Sequence, residues 1–424
     1  MSSRVFIRIT LLLTFHLFSH ARNSVIFIHI DGAGLAQWQA LRFWQVGPDG
    51  DTEWDKLPHM AIYRGHIADS LTASSNAGAV AHAYGVRVHT SSFGMDSGGK
   101  PISNLQGKAE SVMQEAKRRG VRTALINSGC ITEPGTALFV ATAPEREQHE
   151  LISEKVIHSG TDIILSGGEG WLIPEGTEGR HGPGRRKDGR NLIEEARKAG
   201  YVVVHDREEL LAVPRQTKKL LGVFAHEHTF HDLPQSARRV ANLSPYKTDA
   251  PSLSEMLAKA LECLHGEQFL IVAEEEGSDN FANINDATGT LEALRRADQA
   301  IGVARKFVKQ NNNTLLLTAA DSEAGGWDVI GFPDEHTETK IWAKIGRDPN
   351  GAPLGLDSDG RPFLSAPDRH GVRHRFVLAW ASHTDTSGGL LVRGEGKYAE
   401  KIKGQMWNTD VYRVIRSNLF NGLK

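Results

Sequence analysis

The chain has almost no net charge and no long hydrophobic run. Its 424 residues carry 49 Lys and Arg against 51 Asp and Glu, a formal charge of -2 at pH 7. Because the two signs are mixed along the sequence, there is no electrostatic reason to expect a nucleic-acid or membrane-surface partner. A membrane-spanning helix needs roughly 18 or more apolar residues in a row, and no segment reaches that length. These absences favour a small-molecule substrate and argue against stable membrane insertion.

Cysteine is also scarce, with only Cys130 and Cys263 in the whole chain. A sequence of this length with 40% hydrophobic residues can bury a sizeable core without disulfides. The two thiols could pair in an oxidising compartment. However, Cys130 ends a strand-like run and Cys263 lies in an apolar helical stretch. We therefore expect two buried free thiols.

The first 21 residues have the pattern of a secretory signal peptide. Arg4 and Arg8 precede a short apolar run from 11 to 15, and a cleavage position with small residues follows at Ala21. This run is too short to cross a bilayer. We expect cleavage after Ala21 and a mature protein that is secreted or periplasmic. An uncleaved anchor or a cytosolic start is the alternative.

Apolar runs of strand length alternate with helical segments along the rest of the chain. This alternation implies parallel strand pairing with helices on both faces of the sheet. We predict a three-layer α/β sandwich with a central, mostly parallel sheet, in one catalytic domain from residue 22 to residue 424. A capping box at Ser252 and Glu255 predicts the start of a helix before Phe269. The predicted strands are Val25–Ile30, Thr123–Ile126, Asp162–Leu165, Tyr201–Val204, Leu220–Phe224, Phe269–Val272, Thr314–Thr318 and Phe376–Trp380.

Acidic residues follow several of these strands. Ligands of open parallel sheets bind beyond the carboxyl ends of the strands, so we expect these side chains to converge on one edge of the sheet. Carboxylates brought together repel each other unless a cation neutralises them, which predicts one or two divalent metals. The residues concerned are Asp31, Glu274, Asp279 and Asp321, with Ser322 beside Asp321 and His383 after the last predicted strand.

A nucleophile is predicted at the start of a helix of small residues between positions 73 and 85. Ser74 and Ser75 stand at its N-terminus, where free backbone amides and partial positive charge favour an alkoxide and bind a phosphoryl oxygen. An adjacent metal would activate the hydroxyl further. The same hydroxyls also satisfy the ordinary requirement for a helix N-cap.

Over nearly its whole mature length the chain resembles the alkaline phosphatases. The resemblance rests on the order and spacing of several stretches, namely 27–34, 188–192, 251–256, 270–286, 317–326 and 408–412. It implies a mostly parallel sheet between helices and hydrolysis of phosphate monoesters. In the family a serine attacks phosphorus, the resulting phosphoserine is hydrolysed by water, and two Zn ions and an auxiliary Mg assist. A small phosphorylated substrate and a homodimer are also implied.

The resemblance assigns the reacting groups to particular residues. Ser75 takes the position of the nucleophile, counted back from Gly85, and Ser74 is the alternative one position earlier. Arg146 takes the position of the arginine whose planar fork binds phosphate.

The resemblance also assigns metal ligands. Asp31 corresponds to the acid shared by a Zn and the Mg, and Glu274 to a ligand of the Mg. Asp279, Asp321 and His383 correspond to further Zn ligands.

Several positions depart from the family pattern. Asn283 and Ser322 stand where the family has histidines, and Glu133 stands where other members carry Asp or His. Gly135 replaces a Mg-binding Thr, for which Thr136 could substitute. Because imidazole suits Zn whereas oxygen ligands suit Mg, Ca or Mn, we expect a harder ion to replace Zn or Zn to bind more weakly.

The altered metal site keeps two other functions open. An esterase of the same superfamily acting on phosphodiesters, phosphonates or sulfate esters would also use an oxygen-rich site. A phosphate-binding protein without catalysis is the third interpretation, because the lost histidines could reflect a decayed metal site. The leading prediction is a metal-dependent phosphate monoester hydrolase.

Overall fold

The computed structural model describes residues 22–332 and 344–420, so the predicted signal peptide at 1–21 lies outside the described residues. The strands are, in chain order, β1 (Ser24–Ile30), β2 (His59–Arg64), β3 (Arg122–Cys130), β4 (Ile163–Gly167), β5 (Val202–Val204), β6 (Leu220–Val223), β7 (Phe269–Glu275), β8 (Thr314–Ala319), β9 (Glu323–Ala324), β10 (Trp327–Phe332), β11 (Leu354–Gly355), β12 (Phe363–Leu364), β13 (Arg375–Trp380), β14 (Asp385–Thr386), β15 (Leu391–Gly396) and β16 (Lys403–Trp407).

Helices connect most of these strands. They are α1 (Leu35–Gln45), α2 (Ser75–Tyr84), α3 (Val112–Arg118), α4 (Pro134–Ala137), α5 (His149–His158), α6 (Leu192–Lys198), α7 (Arg207–Ala212), α8 (Gln235–Val240), α9 (Leu253–Cys263), α10 (Gly277–Asn283), α11 (Ala287–Gln310) and α12 (Asn408–Leu419). Among the described helices, none is both long enough and apolar enough to cross a membrane.

A ten-stranded sheet in the order β16-β2-β15-β8-β1-β7-β3-β4-β6-β5 forms the centre of the fold. Its pairs are parallel except where β15 meets β2 and β8. Helices α1, α9 and α11 pack together against the sheet, and α2, α3, α4 and α12 form a second group against it. The predicted three-layer sandwich with a mostly parallel sheet is therefore confirmed.

The central strands are apolar because both of their faces are covered. Every residue of β1, β7 and β8 is buried, as expected for parallel strands between two helical layers. The helix before β7 starts as predicted, since the Ser252 hydroxyl accepts from the Glu255 amide at 3.3 Å and the Ser252 amide donates to Glu255 Oε2 at 2.9 Å. Cys130 and Cys263 are buried and free, which confirms that prediction.

The last predicted strand does not belong to the central sheet. Phe376–Trp380 does form a strand, β13, but it pairs antiparallel with β10, β11 and β12 in a separate small sheet. Trp380 of β13 stacks on Trp327 of β10, with ring centroids 4.8 Å apart, and this contact holds β13 and β10 together. His383, which follows this strand, is therefore not at the carboxyl edge of the parallel sheet.

Candidate active site

Three adjacent strands at the middle of the sheet bring acidic side chains to its carboxyl edge. β1 lies between β8 and β7. Asp31 directly follows β1, Glu274 lies near the end of β7, and Asp321 follows β8 by two residues. All three side chains are buried. The predicted convergence of these acids therefore follows from the order of the strands.

The Asp31 carboxylate lies at the centre of this group. Both of its oxygens are buried and accept no hydrogen bond within the described part of the chain. Burial, together with the charges of Asp321, Asp279 and Glu276, raises the pKa of Asp31 well above its usual value. A buried carboxylate with unused oxygens and acidic neighbours has the chemistry that a divalent cation compensates.

Two groups of ligand atoms are spaced to hold a cation. His29, Asp31 and Asp321 each offer an atom within 4.8 Å of the others, and so do Asp31, Glu274 and Glu276. Among the described residues, His29 Nε2, Asp321 Oδ2 and Glu276 Oε2 have no hydrogen-bond partner although they are buried. These residues fit a divalent metal, because a cation would satisfy the oxygens and the nitrogen together.

A second set of polar residues extends the site on the side of α10. Asn283 Nδ2 lies 3.1 Å from both oxygens of Asp279 and 3.1 Å from Asp385 Oδ1. Burial, followed by the charge of Asp385, raises the pKa of Asp279. The Ser322 hydroxyl is also buried and finds no partner in the described ranges. Asn283 thus separates two carboxylates as a neutral donor, in the position where the resemblance predicts an imidazole.

Arg146 approaches the acids from the open side. Its Nη2 lies 3.0 Å from Glu133 Oε2, and its side chain keeps 39% of its surface exposed. Burial disfavours its charge, but Glu133, Glu276, Asp31 and Asp279 outweigh that effect and raise the pKa of Arg146. A partly exposed, permanently charged guanidinium beside the cluster is suited to meet an anionic ligand.

Helix α2 begins at the predicted nucleophile and approaches Asp321 one turn later. Ser74 is its N-cap: the hydroxyl accepts from the Ala77 amide at 3.3 Å and donates to the Thr90 carbonyl at 2.7 Å. Ser75 is the first residue of the helix and is 7% exposed. Gly78, one turn later, lies in contact with Asp321, since a β-carbon on Gly78 would be 2.9 Å from Asp321 Oδ2. The structure therefore gives Ser74 a capping role and puts Ser75 one turn before the glycine that contacts Asp321.

Glu274 is held by donors from the protein on both oxygens. His29 Nδ1 lies 3.0 Å from Oε1, and Asn127 donates to Oε2. Asn127 also donates to the Thr136 hydroxyl at 2.8 Å, so Thr136 reaches Glu274 only through Asn127. Burial lowers the pKa of His29, but the nearby carboxylates of Asp321 and Glu274 outweigh it and raise that pKa to about 10.

His383 is outside the group of buried acids. It is exposed, and its Nε2 lies 3.2 Å from the Asn285 side chain. Asp385, two residues later on β14, reaches Asn283 instead. The ligand role predicted for His383 is therefore unsupported by its position, because the segment after β13 presents its carboxylate and not its imidazole to the site.

Four side chains of the site were not predicted from the sequence: His29, Asn127, Glu276 and Asp385. His29 interrupts an otherwise apolar strand that is buried on both faces, and a polar residue there is a signal that could have identified it. Glu276 follows Glu274 by two residues, a spacing that keeps both on one side of an extended chain. Asp385 lies on a short strand outside the central sheet and gives no comparable signal.

The fold and the site together define a three-layer α/β protein with a carboxylate-rich centre at the carboxyl edge of its main sheet. The sequence profile of the family described as alkaline phosphatase matches residues 21–347. The chain belongs to the alkaline phosphatase family.

Relatives with curated names share about a quarter of their residues with this chain. Alkaline phosphatase 4 of Bacillus subtilis is 26% identical over 339 residues, which is 76% of this chain and 66% of the relative. The repressible alkaline phosphatase of Saccharomyces cerevisiae is 27% identical over 335 residues, covering 73% of this chain and 56% of the relative. The chain thus spans less than two thirds of the length of these relatives.

Solved structures agree with the fold. The alkaline phosphatase of Thermus thermophilus superimposes with a TM-score of 0.71 at 21% identity, covering 98% of this chain and 96% of that structure. The alkaline phosphatase of the Antarctic bacterium TAB5 gives a TM-score of 0.70 at 18% identity, covering 95% of this chain and 99% of that structure.

Proposed function

We propose that this protein hydrolyses phosphate monoesters with the help of divalent metals. The observation that carries the proposal is the meeting of three features at one edge of the sheet. These are the N-terminus of α2 with Ser75, the guanidinium of Arg146, and buried carboxylate oxygens of Asp31, Glu276 and Asp321 that find no hydrogen-bond partner among residues 22–332 and 344–420. Family membership supports the same reaction class.

Ser75 is the proposed nucleophile. Its oxygen forms a bond to phosphorus while the bond from phosphorus to the ester oxygen breaks, and water then hydrolyses the phosphoserine to release phosphate. Ser75 is suited to this step because it opens a ten-residue helix, and the free amides and partial positive charge of a helix N-terminus favour a phosphoryl oxygen. Ser74 is occupied as the cap, and its hydroxyl already donates to Thr90.

Arg146 is proposed to bind the phosphoryl group. Its fork can donate two parallel hydrogen bonds to a tetrahedral anion. Glu133 holds the guanidinium by one nitrogen, which limits its orientations before the substrate arrives. Because the arginine lies between acids and solvent, it also offsets their repulsion toward an anionic substrate.

The residues proposed to hold the metals are Asp31, Glu274, Glu276, Asp279, Asn283 and Asp321, with Ser322 beside them. When bound, divalent ions stabilise negative charge on the phosphoryl oxygens and on the attacking and leaving oxygens. The oxygen-rich ligand set favours Mg, Ca or Mn over Zn. A variant of the TAB5 alkaline phosphatase has been solved with Mg in its M3 site, which supports divalent metals for this fold.

The substrate is proposed to be a small phosphorylated molecule, and the sequence of residues 1–21 supports export to the periplasm or the exterior. A homodimer belongs to the same proposal, on the resemblance alone. Sedimentation of the mature chain tests the dimer, and N-terminal sequencing of the exported protein tests cleavage after Ala21.

The reaction is tested with the mature protein stripped by chelator. Hydrolysis of p-nitrophenyl phosphate is measured after adding Zn, Mg, Ca, Mn or Co, singly and in pairs, for the natural protein and for Ser75→Ala. We expect activity that returns with a particular metal or pair and is lost in the variant. Absence of activity under every metal, with hydrolysis of a phosphodiester or sulfate ester instead, would replace the monoesterase by another esterase of the superfamily. Phosphate binding without any turnover would replace it by a binding protein.

A further inference from the structure

His29 is a buried imidazole that enters the metal site from inside the central strand β1. It is fully buried, and it lies two residues before Asp31. Because side chains alternate along a strand, residues two apart face the same side. His29 and Asp31 therefore face the same region at the carboxyl edge of the sheet. The resemblance on which the ligand predictions rest assigns no role to this position.

The two ring nitrogens of His29 have different surroundings. Nδ1 lies 3.0 Å from Glu274 Oε1. Nε2 is 3.5 Å from Asp321 Oδ1 and makes no hydrogen bond with any described residue. His29 also belongs to a group of three candidate ligands with Asp31 and Asp321, whose ligand atoms lie within 4.8 Å of one another. One nitrogen is thus held by a carboxylate, and the other is aimed into the metal site.

This arrangement is the one found around metal-binding histidines. A ligating histidine generally donates its second ring N–H to a carboxylate or carbonyl, which fixes the tautomer and the ring orientation. Glu274 meets that requirement for His29. Both Glu274 oxygens are already hydrogen-bonded, the second one by Asn127. Glu274 therefore orients the His29 ring, while one of its oxygens also lies within 4.8 Å of ligand atoms of Asp31 and Glu276.

The glycine at position 135 makes room for this pair. A β-carbon on Gly135 would overlap Glu274 Oε1 and lie 2.5 Å from His29 Nδ1. A side chain at position 135 and the His29–Glu274 pair cannot occupy the same space. Glycine at position 135 is thus what lets the His29–Glu274 pair occupy this space.

The geometry points to His29 as a metal ligand through Nε2, with Glu274 as the residue that positions its ring. This inference rests on the metal site of the proposed function. It restores one imidazole to a site from which Asn283 and Ser322 have removed two. A site with one imidazole among oxygens binds Zn more tightly than an all-oxygen site, so His29 would keep Zn among the ions that this protein accepts.

The inference is tested by X-ray absorption of the Zn-loaded, full-length mature protein. The natural protein should show scattering from an imidazole ring bound to Zn. His29→Gln should lose that signature and bind Zn at least about tenfold more weakly in competition with a chelator dye. His82→Gln is the matched control. It removes the neighbouring buried imidazole, which is 5.4 Å from His29 by ring centroid and is hydrogen-bonded to the Tyr63 hydroxyl, and it should keep the signature.

Two further variants test the role of Glu274 and guard against misfolding of His29→Gln. Glu274→Gln should keep the imidazole signature while Zn affinity falls about 10- to 100-fold, as for a residue that acts through a ligand. Gly135→Ala keeps His29 but crowds the pair, and it should weaken Zn binding too. Circular dichroism verifies the fold of each variant. Loss of the imidazole signature in Glu274→Gln would contradict its role as a positioning residue.

An imidazole signature absent from the natural protein, or unchanged in a folded His29→Gln, would overturn the inference. Its failure is separable from failure of the proposed function, because the scattering does not depend on turnover. A protein with metal-dependent phosphatase activity but only oxygen neighbours around Zn would keep the function and lose the inference. An inactive protein with a His29-dependent imidazole signal would support His29 as a metal ligand and contradict the proposed phosphatase function.

Discussion

Gly78 of α2 lies in direct contact with Asp321, with no room for a side chain between them. A β-carbon added to Gly78 would overlap the Asp321 side chain and lie 2.9 Å from Oδ2. Ser75 is one turn earlier on the same face of the helix. The close approach at Gly78 therefore fixes the distance between the proposed nucleophile and one of the proposed metal ligands.

Gly78→Ala should lower phosphatase activity while the protein remains folded. The new methyl group must push α2 away from Asp321 or rotate the carboxylate. Overpacking of this kind costs about 1–3 kcal/mol, partly offset by up to about 1 kcal/mol of helix propensity. The measurement pairs urea unfolding with kcat/KM for p-nitrophenyl phosphate.

A second helical glycine provides the control for Gly78. Gly302 lies in α11, where an added β-carbon would meet only the flexible Glu53 side chain at 3.2 Å. Gly302→Ala should leave activity unchanged and stability equal or slightly higher. Full activity of Gly78→Ala would show that the contact with Asp321 does not position Ser75.

Ser74 and Ser75 should respond differently to removal of the hydroxyl. Ser74→Ala loses the cap bond to the Ala77 amide, which should reduce the free energy of unfolding by about 1 kcal/mol. Most of its activity should remain. Ser75→Ala should keep its stability and lose turnover. Thermal unfolding and steady-state kinetics on both variants decide the assignment, and inactivity of Ser74→Ala with an active Ser75→Ala would reverse it.

Arg146→Lys should weaken both phosphate binding and catalysis although the charge is kept. Lysine lacks the planar fork that donates two hydrogen bonds to one anion. Because a hydrogen bond to a charged group is worth about 1.5–3 kcal/mol, kcat/KM should fall roughly 10- to 100-fold. The inhibition constant of inorganic phosphate should rise in parallel.

Arg190→Lys is the matched control for Arg146. Arg190 is also a partly exposed, ion-paired arginine, but it contacts Glu154 and Glu195 on α5 and α6. The Arg190→Lys variant should leave kcat/KM and the inhibition constant of phosphate unchanged. Equal phosphate inhibition of Arg146→Lys and the natural protein would contradict direct binding of the phosphoryl group by Arg146.

Acid stability should depend on Glu115, which joins α3 to α12. Arg416 Nε donates to its Oε2 at 2.8 Å, and Arg119 Nη2 lies 2.7 Å from Oε1. Burial opposes ionisation, but the two arginines outweigh it and lower the pKa of Glu115. A lowered pKa contributes stability above the unfolded value near pH ~4.3, and that stability is lost as the pH falls through the folded pKa.

Glu115→Gln should therefore destabilise the protein by about 3 kcal/mol at neutral pH, because the buried ion pairs of this carboxylate with Arg416 and Arg119 are lost. The difference from the natural protein should shrink as the pH is lowered below about 4. Glu110→Gln breaks a pair with the half-exposed Arg118 and should cost less than about 1 kcal/mol. Urea titrations between neutral and acidic pH provide the test. A difference in the free energy of unfolding between the natural protein and Glu115→Gln that grows toward acidic pH would contradict a lowered pKa of Glu115.

The central strands could be predicted because burial on both faces makes their sequences apolar throughout. The strands β16, β2 and β15, at one end of the sheet, could not be predicted in this way. β2 has only two of its six residues buried, and Met60 and Ile62 are each 57% exposed. β13 has the same apolar character as a central strand, but its partners are β10 and the two-residue strands β11 and β12. An apolar run shows that a strand is covered and does not show which sheet it joins.

The site was predictable where a residue directly follows a buried strand. Asp31 and Asp321 could be located from strand ends alone. Asp385 could not, because it reaches the site from a two-residue strand that pairs with β9. The sequence predicts His383 instead, two residues before Asp385, and the structure leaves this histidine exposed. His29 lies inside a run that the sequence predicts as an apolar strand, so it is not predicted as a ligand. Its ring is nevertheless the only titratable side chain within β1.

The most direct test of the account is to trap the phosphorylated enzyme. The metal-loaded protein is incubated with excess phosphate ester, quenched in acid, digested and examined by mass spectrometry. The account predicts that the peptide spanning Ser74 and Ser75 gains one phosphoryl group, that fragmentation assigns it to Ser75, and that Ser75→Ala lacks it. Steady turnover with the phosphoryl group on Ser74 or elsewhere, or with no phosphopeptide at all under conditions that trap such intermediates, would contradict it.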